Sequence, residues 1–325
     1  MKASAIGAMF VTSLLVASGV NAEVFSLKVE NDVFTGGQDG HYTNGIEGSL
    51  AFEPEQAHWT RNLAGVLPGW STSDLSYAAY RFGHQLYTPE EIETAELQEQ
   101  DRPYAGLVFG GVTLFADEQR EGLRMSDTFT LDAGLVGQGA GGKRLQRAVH
   151  KVTGSDASEG WDNQLENEPF VNLGYEKRWW LQHQLGGLEL EYGPSVGGAV
   201  GNLYTYASTG AGVRFGQGLA RSLSQPAVTP APSGAQYFKP GEGFGWFVFA
   251  NLEGRFMAHN MLLDGNTFKD SHSVDREKWV GDAQLGFAML WDRWQLSFAN
   301  VWRSHEFKTQ QEHDQFGSVT LSTWL

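Results

Sequence analysis

Residues 23–31 read Glu23-Val24-Phe25-Ser26-Leu27-Lys28-Val29-Glu30-Asn31, and their alternation decides the fold class. Val24, Ser26, Lys28 and Glu30 fall on one side of an extended chain, and Phe25, Leu27 and Val29 on the other. A period of two is the period of a strand. An apolar face opposite a largely polar one suits a wall with lipid outside and a polar interior. The same pattern recurs over 42–53, 76–87, 104–117, 124–137, 169–182, 188–198, 203–216, 245–257, 279–291, 294–305 and 316–325. In 279–291 it is carried by Val280, Ala283, Leu285, Phe287 and Met289, with one slip. With 23–31 these segments make twelve, an even number, as in single-chain bacterial barrels. The expected fold is all-β: a twelve-stranded antiparallel transmembrane β-barrel over 23–325, with a short helix in an outer loop.

Composition agrees. The chain has 325 residues and a net charge of −15, with 41 Gly, 20 Phe, 11 Trp, 10 Tyr and no Cys. Abundant glycine and aromatics under a negative mean hydropathy suit a barrel with aromatic girdles better than a soluble periplasmic enzyme. The absence of cysteine excludes a disulfide framework, a thiol nucleophile and a zinc–thiolate site. The acidic balance argues against a nucleic-acid partner. Lys2, the apolar stretch 3–19 and Val20-Asn21-Ala22 read as a signal peptide over 1–22, so the exported chain is expected to start at Glu23. No later run reaches 18 apolar residues, so no transmembrane helix is expected. The final segment closes on Val319-Thr320-Leu321-Ser322-Thr323-Trp324-Leu325, a strand of the kind on which outer-membrane barrels end.

With the N-terminus in the periplasm, connections 32–41, 88–103, 138–168, the Asn202 turn, 259–278 and 306–315 lie outside the cell. Connections 183–187 and 292–293 are tight inner turns, whereas 54–74 and 217–244 are long for that side. The stretch 225–234, QPAVTPAPSG, is a loop by composition. Four polar clusters share the outer rim: Glu30-Asn31-Asp32, Tyr42-Thr43-Asn44-Gly45, Asp101-Arg102-Pro103-Tyr104, and His150 in the third outer loop.

His150 sits within 134–167, GLVGQGAGGKRLQRAVHKVTGSDASEGWDNQLEN, on a short basic helical pattern bracketed by glycines. Arg144, Arg147 and Lys151 share a face beside His150, and Leu145, Val149 and Val152 lie opposite. Pattern alone leaves open a surface helix whose histidine does nothing, and an ordinary turn at Asn31-Asp32.

The END…HYTNG opening, the DRPYAG element, the GxxGxGAGG…QxxxHxxxG…GWDNQLxNEP run and GGAVGNLYTY at 197–206 together resemble the lipid A 3′-O-deacylase (LpxR) family. The resemblance spans 23–325 nearly end to end. It implies a monomeric outer-membrane barrel that removes a 3′-linked acyl (acyloxyacyl) chain from lipid A, the membrane anchor of lipopolysaccharide. The active site would face the outer leaflet, and the activity would depend on Ca2+. The family's catalytic histidine matches His150, its Asn-Asp pair matches Asn31 and Asp32, and its threonine matches Thr43. The family's Lys-Arg pair has no match before Asp101. Arg102 is the nearest basic residue, and with Arg144, Arg147 and Lys151 it is the expected contact for substrate phosphates.

The residue chemistry is compatible. An imidazole titrating near neutrality can serve as a general base for ester hydrolysis. Asp32 and Asn31 offer hard oxygen ligands suited to calcium. The other eight histidines, His41 and His84 among them, are expected to be dispensable. Two rival readings are a phospholipase-type esterase and a non-enzymatic porin or adhesion barrel. Ser155 and Ser158 lie near His150, but no GxSxG nucleophile context is present.

Overall fold

The computed structural model describes residues 23–35, 41–67, 70, 74–153, 158–224 and 237–325. The expected signal peptide, the middle of the first outer loop, Ser155 and the stretch 225–234 lie outside them. The strands are β1 (Val24–Asn31), β2 (His41–Phe52), β3 (Leu75–Thr88), β4 (Ala105–Arg120), β5 (Leu123–Val136) and β6 (Glu168–Leu185). They continue with β7 (Leu188–Gly201), β8 (Tyr204–Gln217), β9 (Gly241–Asn260), β10 (Trp279–Asp292), β11 (Trp294–Arg303) and β12 (Asp314–Trp324). Each pairs antiparallel with its sequence neighbours, and β1 closes on β12 with Val24 opposite Trp324, giving the expected closed barrel of twelve. No helix among the described residues is long and apolar enough to cross a membrane.

Three strands exceed their alternating segments at both ends: β3 by one residue each way beyond 76–87, and β6 and β9 beyond 169–182 and 245–257. Backbone pairing continues wherever a neighbour is in register, whatever the side chains do. Gly241 still pairs with Asp292, and Asn260 with Tyr204.

The helices are α1 (Trp59–Val66), α2 (Gly142–Thr153) and α3 (Met261–Asp264). Only α2, which carries His150, was legible in the sequence. The two connections that looked too long each have a packed role. α1 buries Thr60 and Ala64, and Ala64 packs with Phe52, Ala78 and Leu114 on the outside of the wall. In the other, the described residues 218–224 and 237–240 instead pack at the barrel mouth, burying Leu219, Leu223 and Phe238. There Arg124 Nη2 donates to the Leu223 carbonyl at 2.5 Å, and Arg214 Nη1 to that of Ser222 at 3.0 Å.

Inward-facing charges are paired. Arg81 bridges Glu47 (3.0 Å) and Asp132 (3.2 Å), Arg255 and Arg303 share Asp282 (2.8 and 2.9 Å), and Arg214 pairs with Glu191. Buried ions persist only when compensated in this way. Apolar clusters pack toward both mouths, one around Tyr42, Tyr87, Phe109 and Phe316, the other around Tyr77, Phe238, Phe247 and Leu290. Packed side chains thereby stand toward both mouths of the lumen.

Candidate functional site

The site lies at the rim opposite the termini, where β1, β2 and β3 end. Strand alternation assigns its faces. In β3, Arg81 points inward and is buried, whereas Phe82 points outward and is 40 % exposed. His84 and Leu86 therefore share the outward face. In β1, Val24, Ser26, Lys28 and Glu30 are buried inside, which turns Asn31 outward with Phe25, Leu27 and Val29.

A bulge then rearranges β2. Tyr42 pairs with Tyr87 and Asn44 with Leu86, so Thr43 is an extra residue without a ladder partner across that pair. Bulges of this kind re-aim a side chain beside a site. The Asn31 amide Nδ2 donates to the Thr43 carbonyl at 2.8 Å, and Thr43 Oγ1 lies 2.8 Å from Thr88 Oγ1. Tyr42 stays inside, its hydroxyl donating to Glu30 Oε2 at 2.6 Å. Asp32 opens a 3-10 turn (Asp32–Thr35) packed against β12 and is buried.

α2 lies against β3 and β4. The glycine-rich run makes this approach possible. Gly141 adopts φ 78°, in the left-handed region that glycine tolerates best. Gly142 lies so near Gly106 of β4 that a Cβ on Gly106 would stand 3.0 Å from its Cα. Leu145 packs on Leu86, Tyr104 and Trp161, and the fully buried Trp161 donates from Nε1 to Gln146 Oε1 at 2.5 Å. The DRPYAG and GWDN segments thus supply the seat of the helix, a role their polarity did not announce. His150 is half-buried, while Arg144, Arg147 and Lys151 are exposed, as the helical pattern anticipated for that basic face.

Arg102 needs correcting. It is 1 % exposed, ion-paired with Glu306 at 3.4 Å, and stacked over the Tyr87 ring at 4.6 Å. A guanidinium so enclosed organises the interior and does not meet a phosphate outside. Its neighbour Asp101 accepts from the backbone N–H of Glu90 (2.8 Å) and of Arg102 (2.6 Å). Burial pushes the Asp101 carboxyl up, but His41 and these amides outweigh it and hold the group below the usual range.

His41, set aside in the sequence, joins three distant segments. Its Nδ1 lies 2.6 Å from Asp314 Oδ1 and its Nε2 3.4 Å from Asp101 Oδ1. No sequence signal links residues so far apart. Ser158, of the rival serine reading, faces the Tyr104 hydroxyl at 3.5 Å.

Among the described residues, no group of three or more His, Asp or Glu could hold a metal ion. The donor set at the rim is all oxygen: the Asp32 carboxylate, the Asn31 and Thr43 side chains, and neighbouring carbonyls. That chemistry fits a hard cation bound through one carboxylate and neutral oxygens.

The profile of the family described as outer membrane protein LpxR matches residues 4–325. Among solved structures, LpxR from Salmonella typhimurium superposes with a TM-score of 0.77 at 19 % identity, covering 93 % of this chain and 100 % of that one. The β domain of the Bordetella autotransporter BrkA gives 0.46 at 9 % identity, covering 94 % and 99 %. The KdgM porin gives 0.39 at 6 % identity, covering 92 % and 98 %. No curated protein sequence matches the chain.

Proposed function

Because the chain belongs to the LpxR family of outer-membrane proteins, we propose that it hydrolyses an acyl ester of lipid A, removing the 3′-linked chain in the outer leaflet. The observation that carries this reading is the face on which the polar groups stand. Asn31, Thr43 and Thr88 form their hydrogen-bonded group at the outward rim, and α2 lies against the same side of the wall. A substrate arriving from the membrane meets the outside of a barrel rather than its lumen. The clusters packed toward both mouths also suit a porin, which needs an open channel, poorly.

In this reading His150 removes the proton from the attacking water as the ester carbonyl becomes tetrahedral, and returns it to the departing sugar oxygen. The half-buried helix position keeps the imidazole from full solvation while leaving a side open to substrate. Charge developing on the carbonyl oxygen needs fixed dipoles. The Thr43 hydroxyl is suited to orienting a donor there, since Thr88 holds it on one side. Asn31, steadied by its bond to the Thr43 carbonyl, presents its amide with Asp32 as the oxygen ligands that would hold calcium. When bound, calcium supplies a Lewis acid that polarises the carbonyl. Arg144, Arg147 and Lys151, exposed beside His150, offer the phosphates of lipid A a cationic surface on an otherwise acidic protein.

Mass spectrometry of lipid A from cells expressing the wild-type chain or His150→Asn tests the assignment. Loss of one acyloxyacyl unit at the 3′ position, only with the wild type, is expected. Unchanged lipid A in both would refute it.

A further inference from the structure

We propose that His84 is a positioning residue that fixes α2, and with it His150, against the wall. The proposal rests on the reading of α2 as the carrier of the catalytic base. His84 is on the outward face of β3, where an aliphatic or aromatic side chain is the ordinary choice and a polar one is costly unless used. It is used once: Nε2 lies 2.8 Å from the carbonyl oxygen of Ala140. A carbonyl only accepts, so Nε2 carries the proton. Among the described residues the buried Nδ1 has no hydrogen-bond partner. The polar contact of the imidazole runs to the turn Gln138–Ala140 that opens into α2.

α2 has other supports: the Gly137 N–H donates to the Gly106 carbonyl of β4 at 2.9 Å, the Gly139 N–H to Asn167 Oδ1 at 2.6 Å and Lys143 Nζ to Asp162 Oδ1 at 2.7 Å, so His84 adds a wall side chain bonded to the last residue of the turn. Gly142 touches the wall at Gly106, Leu145 packs on Leu86, and Gln146 meets Trp161. Apolar contacts tolerate sliding, whereas a hydrogen bond fixes direction. Gly142, where α2 begins, precedes His150 by eight residues, roughly 12 Å of helix at 1.5 Å per residue. A tilt of about 10° at that end would then carry the imidazole through about 2 Å. Misplacement of about 1 Å is enough to cost on the order of 10²-fold in rate.

The chain has no cysteine, so one label site can be introduced cleanly. Ala148, exposed on α2, serves as A148C carrying a nitroxide, in the otherwise wild-type chain and with His84→Leu, His84→Asn or His84→Gln. Glutamine reaches as far as Nε2 and donates to the same carbonyl. Leucine cannot donate, and asparagine is too short. The heat-modifiable gel shift establishes that each variant is folded, and asparagine stands in if leucine is not. Expected are an ordered spectrum for the parent and His84→Gln, and a mobile one for His84→Leu and His84→Asn. In the latter two kcat should fall between about tenfold and 10²-fold with little change in KM. Given an active parent, loosening without loss of rate, loss of rate without loosening, or no change in either overturns the proposal. An inactive parent whose helix still loosens in His84→Leu would keep the anchor and refute the function assigned to α2.

Discussion

Inside the barrel, charge is abundant and every large network is closed: Arg255 and Arg303 converge on Asp282, and Arg81 spans Glu47 and Asp132. On the outward wall near α2 polar side chains are few, and those present reach backbone or other small polar groups, Asn31 to the Thr43 carbonyl and His84 to that of Ala140. The lumen needs its charges to be neutralised because they are buried from water. The outer wall has no such need, since apolar side chains would satisfy a membrane face. Polarity inside is therefore structural, and polarity outside at the rim is the part that calls for a chemical explanation.

The sharpest way to break this contrast is to remove a charge from each region. Asp282→Ala leaves two guanidinium groups facing each other and should cost about 3–5 kcal/mol of stability, read as a lower urea midpoint or loss of the heat-modifiable band. A variant as stable as the parent would show that the luminal network is ornamental. His150→Asn should do the reverse, slowing deacylation by at least ~10²-fold while stability stays within about 0.5 kcal/mol. Near-normal turnover would remove His150 from the mechanism.

Calcium sharpens the comparison within the rim itself. Asp32→Ala should raise the calcium concentration needed for activity, and Asn31→Ala should act in the same direction. Added calcium is expected to restore Asp32→Ala in part and His150→Asn not at all, because metal cannot replace a base. If a calcium titration rescues neither, Asp32 is not a ligand. The smallest expected effect is on the basic face of α2. Arg144→Gln combined with Arg147→Gln should raise KM several-fold, and the difference should shrink as salt screens the exposed charges. A salt-independent change would point to packing instead.

The twelve strands and α2 were legible because each obeys a local period, two for a wall between lipid and lumen and 3.6 for a helix with one buried stripe. The grouping of Asn31, Thr43 and His150 at one rim followed from parity alone. Three things were not legible. The Thr43 bulge depends on how β2 registers against β3. The inward turn of Arg102 depends on Glu306, 204 residues away. The placement of α1 outside the wall and of residues 218–224 and 237–240 at the mouth depends on which surface was left uncovered.

The sequence by itself determined the barrel, its strand count and the rim on which the candidate residues stand, because side-chain alternation is a property of neighbouring residues. Only the tertiary structure decided which of those rim residues face the membrane and which are sealed within. It alone made His84 the anchor of a helix that begins 58 residues later. Such contacts are set when the sheet closes on itself, and no local pattern records where a closed wall will bring two distant residues together.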